Sequence, residues 1–511
     1  MATLVLGAVG AAVGGSLGGS VLGLSGAVIG RAVGATLGRA IDQSVLGAGS
    51  EAIETGKLDR LRLTGASEGA PIPRVIGRTR VSGQVIWASR FKEMRETSGG
   101  GGKGGPKTPK QTAYSYSISL ALALCEGEIT RVGRIWADGT EIARSSVQMR
   151  VYRGSEDQMP DSVIEATEGT DDAPAFRGVA YVVFEDLNLA PFGNRVPQLS
   201  FEVTRAVEVE GEVPSPSSLI EGVALVPGTG EYALATTAVH YDHSGDKSSA
   251  NVNTEQGIAD FRVSMDDLTE ELPNLKSVSL VVSWFGDDLR AGHCRIRPRV
   301  EQNEVDGKRQ AWNVSGLTRE TAGRVPFDQE QPVYGGTPSD QSVIEAIRDL
   351  NARGIAVTFY PFILMEQMGG NGLPDPYGGG EQAALPWRGR ITTSLSAGKP
   401  GTSDRTANAS AEVDAFFGAT AGSDIILDQS QRDSGIGDLI FSGGPTRIVT
   451  GPEADWSYRR FILHYAKLCA EAGGVEAFCI GSEMRGLTRI RGEGDSFPVV
   501  AALQDLARDV R

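Results

Sequence analysis

Residues able to do chemistry are concentrated late in the chain. Val475 to Ile480 is a short apolar run, and Gly481-Ser482-Glu483 follows it directly. An acid placed where a buried strand runs out stands at the rim of a sheet, where a carboxyl group can give or take a proton. The plainer reading is an acid at a helix N-terminus, which the helix dipole favours by itself. Other chemistry is sparse. Cys125, Cys294, Cys469 and Cys479 show no metal-ligand pairing, and Cys125, Cys469 and Cys479 sit in apolar patterns, as buried thiols of a reducing compartment do. The run GGGGKGGPKT from Gly99 to Thr108 lacks the order of a phosphate-binding loop. No metal and no cofactor is expected.

The elements that must position Glu483 alternate between strand and helix. Glu221 to Val226 is a short apolar run. A helical segment closing at Leu268 to Leu275 leads into the β-branched strand Ser277 to Trp284. Ser339 or Ser342 caps a helix carrying Val343, Ile344, Ile347 and Leu350 on one face. Gly354 ends it in a left-handed turn, and the strand Ile355 to Phe362 follows. A second helix from Trp456 puts Phe461, Ile462, Tyr465 and Cys469 on one stripe and ends at Gly473-Gly474, before the strand that leads to Glu483. Repeated helix-to-strand units with continuous apolar strands imply a parallel sheet, most often completed as a (β/α)8 barrel. Four strands are counted before Arg511, so 219–511 is expected to hold the N-terminal part of such a barrel.

Upstream the pattern differs. Tyr114, Tyr116, Ile118, Leu120, Leu122 and Leu124 alternate with serine and alanine, the period of a strand with one large face and one small face. The small face should lie close against another layer. Ala180 to Phe184 reads as a buried strand, and Leu199, Phe201 and Val203 alternate. The expected organisation is a multidomain α+β chain: a Gly-rich, apolar helical segment at 1–56, a β-rich domain at 57–206 with a flexible loop at 97–110, an acidic Pro/Ser linker at 207–218, and the barrel. Glycine is about twice as frequent as usual, at 67 residues. From Ala2 to Gly30 no side chain is charged, and glycines spaced by four make stripes on which helices pack closely, in a bundle or in lipid. The net charge of -15 argues against a phosphate-neutralising grip on nucleic acid. An acidic wall lets DNA pass without binding it.

APIPRVIGRTRVSGQVIW (Ala70 to Trp87), LCEGEITRVGRIWADGTEI (Leu124 to Ile142) and NLAPFGNRVP (Asn188 to Pro197) resemble the hub region of host-specificity or tail-tip proteins of long-tailed bacteriophages. The chain is most similar to the large baseplate protein of gene transfer agents. That resemblance implies a homotrimeric hub at the tail tip of a phage-like particle. Its partners would be distal tail, tail-tube and other baseplate proteins, with a host-membrane contact through residues 1–38. SYRRFILHYAKLCAEAGGVEAFCIGSEM (Ser457 to Met484), with PWRGRI (Pro386 to Ile391), is similar to the β-mannanase-type branch of clan A glycoside hydrolases. This implies Glu483 as acid/base, Trp284 and Trp387 as sugar-stacking platforms or as packing residues, Arg388 as a substrate contact, and a host surface glycan as ligand. Two features depart from that family. Its retaining chemistry needs a second carboxylate, carried on strand seven, and Tyr360-Pro361-Phe362 replaces a polar Lys-Pro-His. Three functions compete: a structural delivery hub, which leads, a glycan-cleaving enzyme, and a carbohydrate-binding barrel without chemistry.

Overall fold

The computed structural model describes residues 71–98, 111–206, 215–226, 230–243, 246–428, 447–450 and 455–511, with short pieces at 12, 20–21, 24–25 and 53–55. The chain divides into two compact units, Met1–Ser215 and Pro216–Arg511.

The first unit is organised by the alternating stretch around Tyr116. Its strands are β1 (Gly77–Ser82), β2 (Gln84–Ala88), β3 (Lys92–Ser98), β4 (Gln111–Glu126), β5 (Arg131–Ala137), β6 (Thr140–Ile142), β7 (Gln148–Tyr152), β8 (Val179–Asn188) and β9 (Leu199–Arg205). One sheet runs β7–β8–β4, with β2 and β3 pairing successive stretches of the other edge of β4 and Ile53–Thr55 pairing its start. The other runs β1–β9–β5–β6. The large face of β4 shares one core with Val132 and Ile135 of β5 and Phe201 and Val203 of β9. Two-residue periodicity therefore sends every large side chain of β4 toward the second sheet. The small face is buried too. Tyr181 lies opposite Ala123 and Val183 opposite Ala121, in a second core with Ile164 of α1 (Ser162–Glu168). Alanine on β4 leaves room for Tyr181, which stacks on Tyr152 with centroids 4.5 Å apart.

The second unit contains a parallel sheet in chain order: β10 (Gly222–Leu225), β11 (Ser277–Gly286), β12 (Ala356–Met365) and β13 (Ala477–Phe478). The helices between and after them are α2 (Asp260–Glu271), α3 (Asp340–Ala352), α4 (Ala407–Phe417), α5 (Tyr458–Glu471) and α6 (Pro498–Val510). Val278, Leu280, Val282 and Trp284 of β11 and Val357, Phe359, Ile363 and Met365 of β12 are buried, and they share one core with residues of α3 and α5. Of the opposite parity, Ser279, Ser283, Tyr360, Phe362 and Leu364 are only partly covered, while Val281 and Phe285 are buried. Ser339 caps α3 by accepting from Ser342 N–H, and Gly354 has φ +74°. The strand read at Val475 to Ile480 is shorter than expected, because the ladder closes after Phe478 and the chain bends toward Gly481.

Four residues of the glycine-striped segment are not helical: Ser20 pairs with Ser25 and Val21 with Leu24 in an antiparallel ladder. Glycine weakens a helix by about 1 kcal/mol per residue, so composition there leaves extended pairing competitive. The rest of the stripes, most of the 97–110 loop and most of the linker lie outside the described residues. Among the described residues no helix is long and apolar enough to cross a membrane.

Candidate functional site

The site lies where two loops meet past the strand ends. Beyond β12, Trp387 leads into a single 3-10 turn, Arg388–Arg390. Beyond β13, the loop from Gly481 carries Glu483. Gly486 N–H donates to Gly389 O at 2.8 Å, and a Cβ at Gly486 would lie 2.4 Å from Ile391 O, so only glycine permits this approach. Tyr458 of α5 is buried and donates to Ile480 O at 2.7 Å, anchoring the strand exit.

Within this frame Trp387, Arg388 and Glu483 come together. Trp387 Nε1 donates to Glu483 Oε2 at 2.6 Å, and Arg388 Nη2 lies 3.1 Å from the same oxygen. The Arg388 side chain is 5% exposed and that of Glu483 51%. The guanidinium also reaches Ser482 Oγ at 3.2 Å and the Ser482 carbonyl at 3.4 Å, and its Cζ sits 3.5 Å from the Phe362 ring centroid. Burial lowers the Arg388 guanidinium from its ordinary value; the charge of Glu483 and a hydrogen bond with Tyr360 oppose that. Tyr360 and Phe362, the departure from the hydrolase pattern, thus form the floor on which the cation rests. Glu483 itself has φ +52°, a left-handed conformation that costs a non-glycine residue on the order of 1 kcal/mol and is held by these contacts.

Trp284 is not part of this site, which corrects its reading as a sugar platform. It is fully buried, and its Nε1 donates to Tyr465 OH at 2.8 Å. The reason is parity: Trp284 shares the face of Leu280 and Val282, whereas Ser283 points the other way. Trp387, 45% exposed, remains available for stacking.

Two further acids, missed in the sequence reading, stand at strand exits as Glu483 does. Asp287 follows β11 and Glu366 follows β12, at matching positions because Gly286 pairs with Met365. Arg299 binds Glu366 through Nε at 2.7 Å and through Nη2. Burial, and to a lesser degree the charge of Glu366, pushes the Asp287 carboxyl above its ordinary value. Asp287 also accepts from Arg295 N–H at 2.7 Å, so the pair is tied into the fold. Among the described residues, no group of three or more His, Cys, Asp or Glu is placed to hold a metal ion.

A parallel sheet in chain order, with side chains gathered past its strand ends, is the arrangement of a TIM-barrel-like domain. Residues 456–511, which include α5, β13, Glu483 and α6, match the family described as GTA TIM-barrel-like domain. A chain of the solved structure entitled "Virion of native gene transfer agent (GTA) particle" is similar at 54% identity, over 38% of this chain and 42% of that one, with a TM-score of 0.24. The chain therefore spans less than half the length of that virion chain, and a superposition of that quality carries no argument about fold. No curated protein matches. Residues 456–511 are thus similar to a TIM-barrel-like domain of gene transfer agents, and part of the chain is similar to a component of such a particle. The relative is a particle component, in agreement with the particle location implied by the resemblance.

Proposed function

We propose that the chain is a structural component of the tail tip of a phage-like particle, a trimeric hub that closes the tail tube, contacts neighbouring tail and baseplate proteins, and takes part in host recognition and DNA delivery. The observation that carries this reading is the match of residues 456–511 to a gene transfer agent domain. The two-sheet first unit supports it, since the buried Asp161 is held at once by Arg150, Tyr152 and Val163 N–H, which suits a load-bearing part. Acidic net charge suits a wall past which DNA slides. Contact of residues 1–38 with the host membrane belongs to the same proposal. Native mass spectrometry of the full-length protein, alone and with tail-tube subunits, is the test. Three copies bound to the tube are expected; a monodisperse monomer without affinity for the tube sinks the hub.

A second reading concerns the barrel-like unit alone. The half-exposed indole of Trp387 beside Glu483 is the pairing of apolar plate and acceptor that sugars need, and it favours a host surface glycan as ligand. Whether Glu483 also cleaves, as general acid of a retaining glycosidase, is tested by product analysis with β-linked oligosaccharides. Release of reducing ends that stops in Glu483→Gln would establish the enzyme.

A further inference from the structure

We propose that Glu483 is a fixed hydrogen-bond acceptor for the hydroxyl groups of an uncharged sugar, oriented by Trp387 and Arg388, and that the site binds a glycan without cleaving it. This rests on the glycan reading of the second unit. Trp387 Nε1 and Arg388 Nη2 both converge on Oε2, so that oxygen acts as an acceptor and carries no proton to give away. General acid catalysis would need a proton on the outward oxygen and, in a retaining enzyme, a second carboxylate beside it, whereas the side chains that touch Glu483 are Trp387 and Arg388. Arg388 is nearly buried, and its contacts are Glu483, Ser482, Tyr360 and Phe362. Its charge is therefore occupied inside the protein and is not offered to a ligand. What faces outward is the remaining oxygen of Glu483 and the indole of Trp387.

That pair selects its ligand chemically. The indole stacks on the C–H face of a pyranose ring, and the carboxylate oxygen accepts from the sugar hydroxyls. A uronic acid would bring a second negative charge beside Glu483, which disfavours it. Arg388 is a positioning residue here, since it acts on the sugar only through Glu483. Gly389 belongs to the same device: a Cβ there would lie 2.4 Å from the Trp387 ring, so the indole occupies the space that the missing side chain leaves.

The experiment titrates the full chain, by calorimetry, with a neutral β-1,4-linked mannohexaose and with an oligogalacturonate of equal length, while reducing ends are monitored. The neutral oligomer should bind, the acidic one should not, and no reducing ends should appear. Glu483→Gln should weaken binding at least about tenfold, as loss of a hydrogen bond to a charged group does. The indole N–H and the guanidinium both demand an acceptor, so they hold the amide oxygen and turn its NH2 toward the sugar, a donor where an acceptor was. Gly389→Ala and Arg388→Met should each weaken binding to a similar degree. If those two variants fail to fold, Glu483→Gln decides alone, because its side chain is half exposed and of unchanged size. Equal binding by wild type and Glu483→Gln, without cleavage, overturns the acceptor role and leaves the glycan reading standing. Cleavage by the wild type, with binding preserved and turnover lost in Glu483→Gln, overturns it in favour of an enzyme. Binding of neither oligomer overturns the glycan reading, and this inference with it.

Discussion

Two arginine–carboxylate pairs in this molecule are built in opposite senses. In the first unit the acid is the buried partner: Asp161 has a side-chain exposure of 0%, while Arg150 is 35% exposed. In the second unit the base is buried, with Arg388 at 5% and Glu483 at 51%. Asp161 has its acceptor sites filled from inside. Arg150 donates through Nε at 2.6 Å and Nη2 at 2.9 Å, Tyr152 OH donates at 2.8 Å, and Val163 N–H donates at 2.8 Å to cap α1. Burial alone would raise the carboxyl, yet those bonds pull Asp161 below its ordinary value, and burial together with Asp161 pushes Tyr152 up to about 12. A buried acid with every lone pair used is a clamp. A buried base that leaves its acid outside is a pedestal, and it has an oxygen left for something else.

The largest effect should come from breaking the clamp. Asp161→Ala removes the helix cap and leaves Arg150 with Glu185 as its remaining acid, so the unfolding free energy measured in urea should fall by about 3–5 kcal/mol. Glu483→Ala, the same deletion on the pedestal, should cost less, about 1–2 kcal/mol, because the acid is half exposed although its loss leaves the nearly buried Arg388 without its carboxylate. Equal losses from the two variants would erase the contrast.

Next in size is the joint that holds the pedestal. Gly486→Val inserts atoms where a Cβ already meets Ile391 O at 2.4 Å and Gly389 O at 2.9 Å. Backbone cannot rotate away as a side chain can, so a loss of about 1–3 kcal/mol is expected in the same assay. Because the Gly486–Gly389 contact sets the turn carrying Trp387, this variant should also disturb the site.

Glu202 tests an intermediate design, an acid with 9% side-chain exposure held by the half-exposed Arg78 and Arg134. Burial raises it, but hydrogen bonds from both arginines and from Arg134 N–H outweigh that and bring Glu202 down to about 2, against an ordinary 4.5. A carboxyl lowered on folding binds protons more readily when unfolded. Its stabilisation is therefore full above about pH 4.5 and is lost as pH falls toward 2. After allowance for solvent screening of the two arginines this amounts to about 2 kcal/mol. Unfolding measured from pH 6 to pH 2 should show that contribution within the total slope, and Glu202→Gln should make the slope shallower by about that amount, Asp161 keeping its own share.

Much of this fold is legible in the sequence through local signals. Alternation names both faces of β4, and Ser339 and Gly354 bracket α3, because caps and periodicity act over a few residues. The candidate site is legible only as separate pieces. Trp387 and Glu483 are 96 residues apart, and nothing local says that an indole from one loop meets a carboxylate from another. Trp284 is within reach of sequence reasoning: its parity with Leu280 and Val282 places it on the helix-facing side, and periodicity there outweighs the general suitability of tryptophan for sugars. Asp287 and Glu366 are readable by the same strand-exit position that singles out Glu483. Arg299, which comes from a two-residue strand after β11 to bind Glu366, is not.

The smallest expected effect asks which contact the pedestal rests on. Trp387→Phe keeps an aromatic plate and deletes the indole N–H that reaches Glu483 Oε2. Trp387 is 45% exposed, so its hydrogen bond competes with water and contributes only about 0.5 kcal/mol, the low end for such bonds. The Arg388 contact to that oxygen persists, on a guanidinium held by Ser482 and Phe362 whatever stands at position 387. Stability in urea should therefore stay within about 0.5 kcal/mol of wild type. Affinity for the neutral oligosaccharide should fall by about threefold, less than for Glu483→Gln, because the acceptor keeps its charge and its main support. A loss as large as that of Glu483→Gln would mean that the indole orients the acid and Arg388 merely neutralises it. The contrast with Asp161 would then be one of burial alone, since both acids would owe their geometry to several donors acting together.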